Sequence, residues 1–232
     1  MKPIIAVKIP TLTTVNSSLL VFVSALAAMR DVPYEFQIGV VQNHKPHDYA
    51  RNTAIRDVFK NENIAKVWFI DSDIIPNPRA MRLLSVDADI AVGPYPIVKR
   101  DDEGLLVPQT TAYVFKDEEV FHPIEFNGEG FCEVDGAGMG MMVIGRNVLT
   151  DERMWLDNDP ADYIGKKPTV EHVLFRHSYN PDGSMSVGED MDFCRRARGC
   201  GYRIVADSSI HTGHMKELDL HDVQRALWAK SA

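Results

Sequence analysis

The apolar positions of this chain fall into short runs separated by polar punctuation. Residues 4–9 form the first run, apolar and partly β-branched, and predict a buried strand. The polar turn Pro10-Thr11-Leu12-Thr13-Thr14 follows, and Asn16 or Ser17 can cap a helix running to about Met29. Pro33 breaks the chain before a second strand over 34–41. After the loop at 43–47, Asp48 can cap a helix from Tyr49 to about Lys60. Residues 67–70 predict a third buried strand. Strand, helix, strand, helix, strand in this order predicts a parallel α/β start with right-handed crossovers.

The pattern then changes. A short helix is expected over 79–85 after Pro78, and a buried strand over 90–92, closed by Gly93-Pro94-Tyr95-Pro96. Residues 105–115 and 120–126 read as extended runs with polar interruptions, as in antiparallel strands that extend the sheet. Residues 131–134 and 141–144 predict further strands, with a helix only after Arg146. Residues 151–186 are irregular and carry Trp155, Tyr163, Phe175, His177 and Tyr179, aromatics suited either to stack on a ligand or to pack on the core. A helix opens at Gly188-Glu189-Asp190 and runs to about Arg198, its acids first and Arg195, Arg196 and Arg198 last, as the helix dipole favours. A last strand is expected over 202–206. An amphipathic C-terminal helix is expected over 218–228, docked through Leu220, Val223, Leu227 and Trp228.

The expected fold is α/β: a single Rossmann-like nucleotide-binding sheet, mostly parallel with an antiparallel extension. The expected organisation is one domain over 1–232, with a nucleotide-binding half at 1–98, an acceptor and catalytic half at 99–215, and the helix at 216–232. The length, 232 residues, suits one large domain or two small ones, and the 45% hydrophobic fraction is ordinary for a globular protein. Lys and Arg number 25 against 33 Asp and Glu, a net charge of −8 that does not suggest non-specific nucleic-acid binding. Cys132, Cys194 and Cys200 contain no Cys-x-x-Cys pair and no disulfide framework, which points to a reducing, cytoplasmic compartment. The first apolar run is interrupted by Lys8 and Pro10 and does not read as a signal peptide. Residues 19–29 are apolar but short of the roughly 20 needed to span a bilayer.

Candidate chemistry begins at Phe69-Ile70-Asp71-Ser72-Asp73-Ile74-Ile75. Two carboxylates stand where a buried strand leaves the sheet, and Pro76 and Pro78 stop its continuation. Asp and Ser also end strands by bonding to local backbone. Alternatively the acids hold a divalent cation, and hard Mg²⁺ or Mn²⁺ suits oxygen ligands. Arg51 and Asn52 sit in the first turn of the second helix, where an arginine opposes the dipole: either it is solvated on an exposed face or an anion resolves the conflict. Gly136-Ala137-Gly138-Met139-Gly140 lets backbone approach a ligand or another chain closely, but a strand and not a helix follows, which rejects a dinucleotide-binding fingerprint. At the opening of the Gly188 helix a carboxylate can take a proton from an acceptor hydroxyl, although the dipole would lower its pKa. Ile210-His211-Thr212-Gly213-His214 offers two late imidazoles, suited to a surface or to a metal.

In this order the features resemble nucleotide-sugar glycosyltransferases of the A-type fold, of the family-2-like kind. Residues 69–74 resemble their metal motif, Gly136 to Gly140 their glycine loop, and Gly188-Glu189-Asp190 through Gly201-Tyr202-Arg203 their acidic motif and its helix. Tyr49-Ala50-Arg51-Asn52 is similar to a segment of their short bacterial and phage members. The resemblance covers most of residues 3–215. It implies that Asp73 binds Mg²⁺ or Mn²⁺, that Asp71, beside Ser72, holds the ribose or a water on the metal, and that His214 is the late metal ligand, with His211 as runner-up. It implies that Arg51, next to Asn52, assists at the phosphates, that Pro10 and Thr11 line the nucleotide pocket, and that Gly138 and Met139 border donor and acceptor. Asp190 would be the general base of an inverting displacement, and Glu189 would contact acceptor or orient the loop.

The implied partners are a nucleoside-diphosphate sugar, UDP favoured, and an acceptor hydroxyl on a glycan, a lipid-linked sugar, a protein or a modified nucleic acid. A nucleotidyltransferase would favour a glycine-rich basic loop after strand one, which Pro10 to Thr14 is not. An aspartyl phosphatase would place its Asp-x-Asp on the first strand with a Thr where Ile75 stands. A non-catalytic nucleotide-sugar-binding protein would have no need of the acids at Asp71, Asp73 and Asp190.

Overall fold

A seven-stranded sheet forms the centre of the protein, in a computed structural model that describes residues 1–11, 14–42, 47–116, 120–126, 128–156 and 172–216. The elements run β1 (Ile4–Thr11), α1 (Ser17–Ala28), β2 (Glu35–Gln42), α2 (His47–Ala54), α3 (Arg56–Lys60), β3 (Ile64–Ile70), β4 (Ile74–Ile75), a 3-10 helix (Pro78–Leu84), β5 (Ile90–Val92), β6 (Pro96–Arg100), β7 (Leu106–Thr110), β8 (Ala112–Phe115) and β9 (Phe121–Pro123). They continue with β10 (Phe131–Glu133), β11 (Gly136–Ala137), β12 (Met141–Gly145), α4 (Arg146–Leu149), a 3-10 turn (Glu152–Met154), β13 (Ser178–Tyr179), β14 (Met185–Val187), α5 (Glu189–Gly199), β15 (Ile204–Asp207) and β16 (Gly213–His214).

The strand runs were legible because the sheet is covered on both faces, which makes central strands continuously apolar. Ile5, Val7, Ile9, Trp68, Ile70, Ala91, Met141 and Val143 pack on the face that α1 covers through Leu19, Phe22, Val23 and Leu26. Their neighbours Ala6, Val67, Phe69, Ile90, Val92, Met142 and Ile144 pack on the other face with Val58, Phe175 and Phe193. This odd–even division is the period-2 geometry of strands. Lys8, inside β1, is buried and donates to Asp57 at 2.7 Å, so its charge is paired where it leaves water.

The strand order is β10-β15-β5-β12-β3-β1-β2. Pairings β1–β2, β1–β3 and β5–β15 are parallel, whereas β12 runs antiparallel to both β3 and β5. The sheet is therefore mostly parallel in strand direction, but its central antiparallel strand is an insertion and not an extension. The runs expected to extend the sheet instead form separate small sheets, β6–β7 and β11-β8-β9; among the described residues only β10 extends the main sheet antiparallel, at its edge. The insertion has a consequence: β12 leaves its preceding glycines beside the end of β3, where the Asp71 amide donates to Gly140 O at 2.9 Å.

Other expectations need correction. The helix expected over 49–60 is broken at Ile55 into α2 and α3. Asp48 is not ahead of that helix but buried in its first turn. The helix expected over 79–85 is a 3-10 helix with Asn77 accepting from Arg79 N. The three cysteines are free thiols. Among the described residues no helix is long and apolar enough to cross a membrane. The helix expected over 218–228, Leu12-Thr13, the loop at 43–46 and Tyr163 lie outside the described residues.

Candidate functional site

A cavity of about 720 Å³ opens where β1 and β3 end, against the first turns of α2 and α5 and the chain ahead of β12. Its lining includes Pro10, Thr11, Arg51, Asp71, Ser72, Asp73, Met139, Glu189, Asp190 and His214, all expected site residues, together with Tyr95 and Lys216, which were not. This is the carboxyl-end crevice where open α/β sheets bind ligands. Asn16 shapes its floor: its Oδ1 caps α1 by accepting from Leu19 N at 2.8 Å, while its Nδ2 donates to Ser72 O at 2.8 Å and Ile74 O at 2.7 Å. One side chain thus starts a helix and clamps the Asp-Ser-Asp turn.

Arg51 is buried, not solvated on an exposed face. Its Nη2 donates to Asp71 Oδ2 at 3.2 Å and its Nε to Glu189 Oε1 at 3.2 Å. The guanidinium lies 5.3 Å from the centre of the Phe69 ring, a cation–π contact. Nη1 stands 3.2 Å from Asp71 Oδ1, yet both atoms are buried without a hydrogen bond. A desolvated carboxylate oxygen of this kind is open to a further cation or donor.

Glu189 and Asp190 share one helical turn but not one role. Burial pushes Glu189 up, but Arg51 and His177 outweigh it and hold the carboxyl below its ordinary value. His177 Nδ1 is 3.4 Å from Glu189 Oε2, and the His177 amide donates to Asp48 Oδ2 at 3.3 Å. Burial, with the Glu189 charge beside it, pushes Asp190 up to about 6. The downward shift expected from the helix dipole is overridden, because lost hydration and a like charge at close range exceed a half-charge at a helix end. Asp190 accepts at Oδ1 from the Met191 amide at 2.8 Å.

Across the cavity, β16 pairs with β4, so His214 lies opposite Ile74. The Met215 amide donates to Asp73 O at 2.8 Å, securing the late segment to the Asp-Ser-Asp turn. His214 Nδ1 contacts Pro96 O, a carbonyl that accepts, at 2.9 Å. Nε2 faces Asp73 Oδ2 at 3.1 Å. The same carboxylate oxygen accepts from Lys216 Nζ at 2.7 Å. Burial pushes Asp73 up, but the His214 and Lys216 contacts prevail and hold it well below the usual carboxylate range.

Among the described residues no three His, Cys, Asp or Glu side chains form a ready cation cage. The donor set nevertheless fits Mn²⁺ or Mg²⁺. Such ions at nucleotide sites take one or two carboxylates and complete their shell with phosphate and water. Asp73 supplies the carboxylate, His214 an imidazole whose other nitrogen is anchored on a carbonyl, as in metal-bound histidines, and Asp71 an oxygen beside Arg51 that makes no hydrogen bond.

The alternating glycines make room for side chains. A Cβ on Gly138 would stand 2.6 Å from Tyr95 Oη, one on Gly140 2.8 Å from the Tyr95 ring, and one on Gly136 2.9 Å from Phe115. The close approach is to the protein's own aromatics. Tyr95 packs edge-on against His214, ring centres 4.9 Å apart. Three expected residues stand away from the cavity wall. Gly138 lies behind Tyr95. Asn52 is fully buried, donating to Phe175 O at 2.7 Å and accepting from Leu174 N at 2.9 Å, so it holds a loop and not a nucleotide. His211 is exposed and pairs with Glu129 at 3.3 Å. Tyr95 carried one local sign, its place between two prolines closing a strand; Lys216 carried none, because its partner is 143 residues away.

No protein-family model and no curated protein sequence matches this chain. Solved structures do. A structure of A197 from STIV aligns with a TM-score of 0.52 at 17% identity, covering 92% of this chain and 86% of that one. A structure of GalNAc-T7 with UDP, GalNAc and Mn²⁺ aligns with a TM-score of 0.55 at 12% identity, covering 93% of this chain but 43% of that one. This chain therefore spans less than half the length of that GalNAc-T7 chain. At these identities the likeness is one of fold.

Proposed function

We propose that this chain is a metal-dependent glycosyltransferase that moves a hexosyl unit from a nucleoside-diphosphate sugar to an acceptor hydroxyl, by one inverting displacement with Asp190 as the general base. The observation that carries the reading is the convergence of Arg51, Asp71, Asp73, Asp190 and His214, from four separate segments, on one cavity at the carboxyl end of the sheet. The shared fold with a protein whose structure holds UDP and Mn²⁺ supports it and makes UDP the first donor base to try.

The division of labour follows from the charges. Pro10 and Thr11, at the end of β1, line the side of the cavity suited to the nucleoside. Asp73 and His214, with Asp71 alongside, would hold Mn²⁺ or Mg²⁺, which would supply Lewis acidity against the charge of a departing diphosphate. Arg51 contributes a fixed, desolvated positive charge behind Asp71. Glu189 is engaged by Arg51 and His177, which leaves Asp190 as the acid-motif carboxylate free to accept a proton. As the acceptor oxygen bonds to the anomeric carbon, its proton passes to Asp190 and the bond from that carbon to the diphosphate oxygen breaks.

The test is calorimetric titration of UDP, GDP, CDP and ADP into the protein with Mn²⁺, then with EDTA. The expected result is binding of one nucleotide, only with metal. Failure of all four to bind the folded protein overturns the reading. Metal-dependent binding with no transfer to any glycan, lipid-linked or peptide acceptor would make the chain a nucleotide-sugar-binding protein.

A further inference from the structure

We infer that Lys216 is a displaceable counter-cation, holding Asp73 while the metal is absent and passing to the diphosphate when a metal-bound nucleotide enters. The inference rests on the donor reading above and extends it to a residue for which neither the sequence pattern nor the fold assigns a role.

The geometry sets up a competition. Lys216 Nζ and His214 Nε2 both face a single oxygen, Asp73 Oδ2, at 2.7 Å and 3.1 Å. A cation taken up by Asp73 and His214 would occupy the space the ammonium now fills. Two like charges a few ångströms apart repel strongly in a cavity of reduced dielectric, so metal and ammonium exclude each other at this carboxylate. The ammonium is able to leave. Its side chain is about half exposed on a flexible four-carbon stem, while the Met215 amide bond to Asp73 O keeps its backbone in place.

Its destination follows from the other cation. Of the described residues lining the cavity, Arg51 and Lys216 are those with a permanent positive charge. Arg51 is 4% exposed at its side chain and engaged by Asp71 and Glu189, so it acts in place. Lys216 is the charge that moves. Without metal it relieves Asp73; once a metal does so, a diphosphate is the anion that newly arrives within reach. The exchange makes metal and nucleotide bind best together, because each removes an obstacle to the other.

The test has two arms of opposite sign, both read as binding and neither as activity. Mn²⁺ alone is titrated into wild-type protein and Lys216→Met, and inorganic pyrophosphate and UDP are then titrated at saturating Mn²⁺. Lys216→Met is expected to bind Mn²⁺ alone severalfold more tightly, because the competing charge is gone. It is expected to bind pyrophosphate and UDP roughly tenfold more weakly, the usual scale for a lost charge-assisted hydrogen bond. Lys216→Arg keeps the charge and is expected to hold Mn²⁺ affinity near wild type. Unchanged or weaker Mn²⁺ binding by Lys216→Met overturns the competition, and unchanged pyrophosphate binding overturns the transfer. If wild-type protein binds neither UDP nor pyrophosphate with metal, the donor reading itself has failed. If wild type binds both and Lys216→Met behaves identically, only the role of Lys216 has failed.

Discussion

Arg51 donates through Nε to Glu189 Oε1 at 3.2 Å, joining the last turn of α2, not its first as the sequence suggested, to the first turn of α5 across 138 residues of sequence. The same guanidinium holds Asp71, so the Asp-Ser-Asp turn and the start of α5 share one buried cation. Glu189→Gln keeps the shape but removes a charge that raises Asp190. The acid limb of the pH–rate profile is therefore expected to move below about 6. An unmoved limb would show that Glu189 does not act on Asp190.

Asp190 must be ionised to accept a proton, so transfer is expected to rise with pH through about 6 and level above it. Asp190→Asn is expected to abolish transfer while nucleotide affinity stays within about twofold, the two readings separating base from binding residue. The sign for stability follows from the raised pKa. The folded state binds the Asp190 proton more tightly than the unfolded state, so the carboxylate penalty is full above about pH 6 and absent below the ordinary value of 3.8. The Asn variant is thus expected to melt higher than wild type at pH 7.5, with the difference shrinking toward pH 4.

Asn52 serves three backbone groups of the loop around residue 174 through its Phe175 O, Leu174 N and Phe175 N contacts. Asn52→Ala strands them in the interior and is expected to cost about 3 kcal/mol by denaturant melting, an order set by buried polar groups left unpaired. A loss below about 0.5 kcal/mol would mean that the loop finds other partners.

Gly140→Ala places a methyl 2.8 Å from the Tyr95 ring. The ring packs edge-on against His214, so it yields at an expected cost of ~1–3 kcal/mol, the usual range for overpacking. Tyr95→Ala in the same chain is expected to abolish that increment, which a double-mutant cycle measures.

His214→Ala is expected to remove metal-dependent nucleotide binding, because its ring is set between Pro96 O and Asp73. His211→Ala is expected to leave it unchanged, since His211 faces Glu129 outside the cavity. The reverse result in the same calorimetric titration would move the metal to the other imidazole.

Much of the candidate site was legible because its parts are local patterns. An apolar run ending in Asp-Ser-Asp places two carboxylates at a strand end wherever that strand lies, and a Glu-Asp pair before a helical repeat places two more at a helix start. The strand at Ile90–Val92 and the Asn16 cap were equally plain, since burial on both faces and an orphan helix amide are demands that neighbours in sequence meet. The glycines signalled a close approach but not to what, because Tyr95 comes to them from the link between β5 and β6.

The amino-acid sequence by itself therefore determined the strand and helix runs, the turn chemistry and the residue types that reach the carboxyl end of the sheet. Only the tertiary structure decided which of them meet. The antiparallel insertion of β12 between β3 and β5, the burial of Arg51 between Asp71 and Glu189, the retirement of Asn52 into a loop clamp and the capture of Asp73 by Lys216 all join distant segments. Periodicity records how much of a residue is buried and on which side. It carries no record of the partner across the fold, and that partner sets the hydration, the field and hence the protonation of each carboxylate.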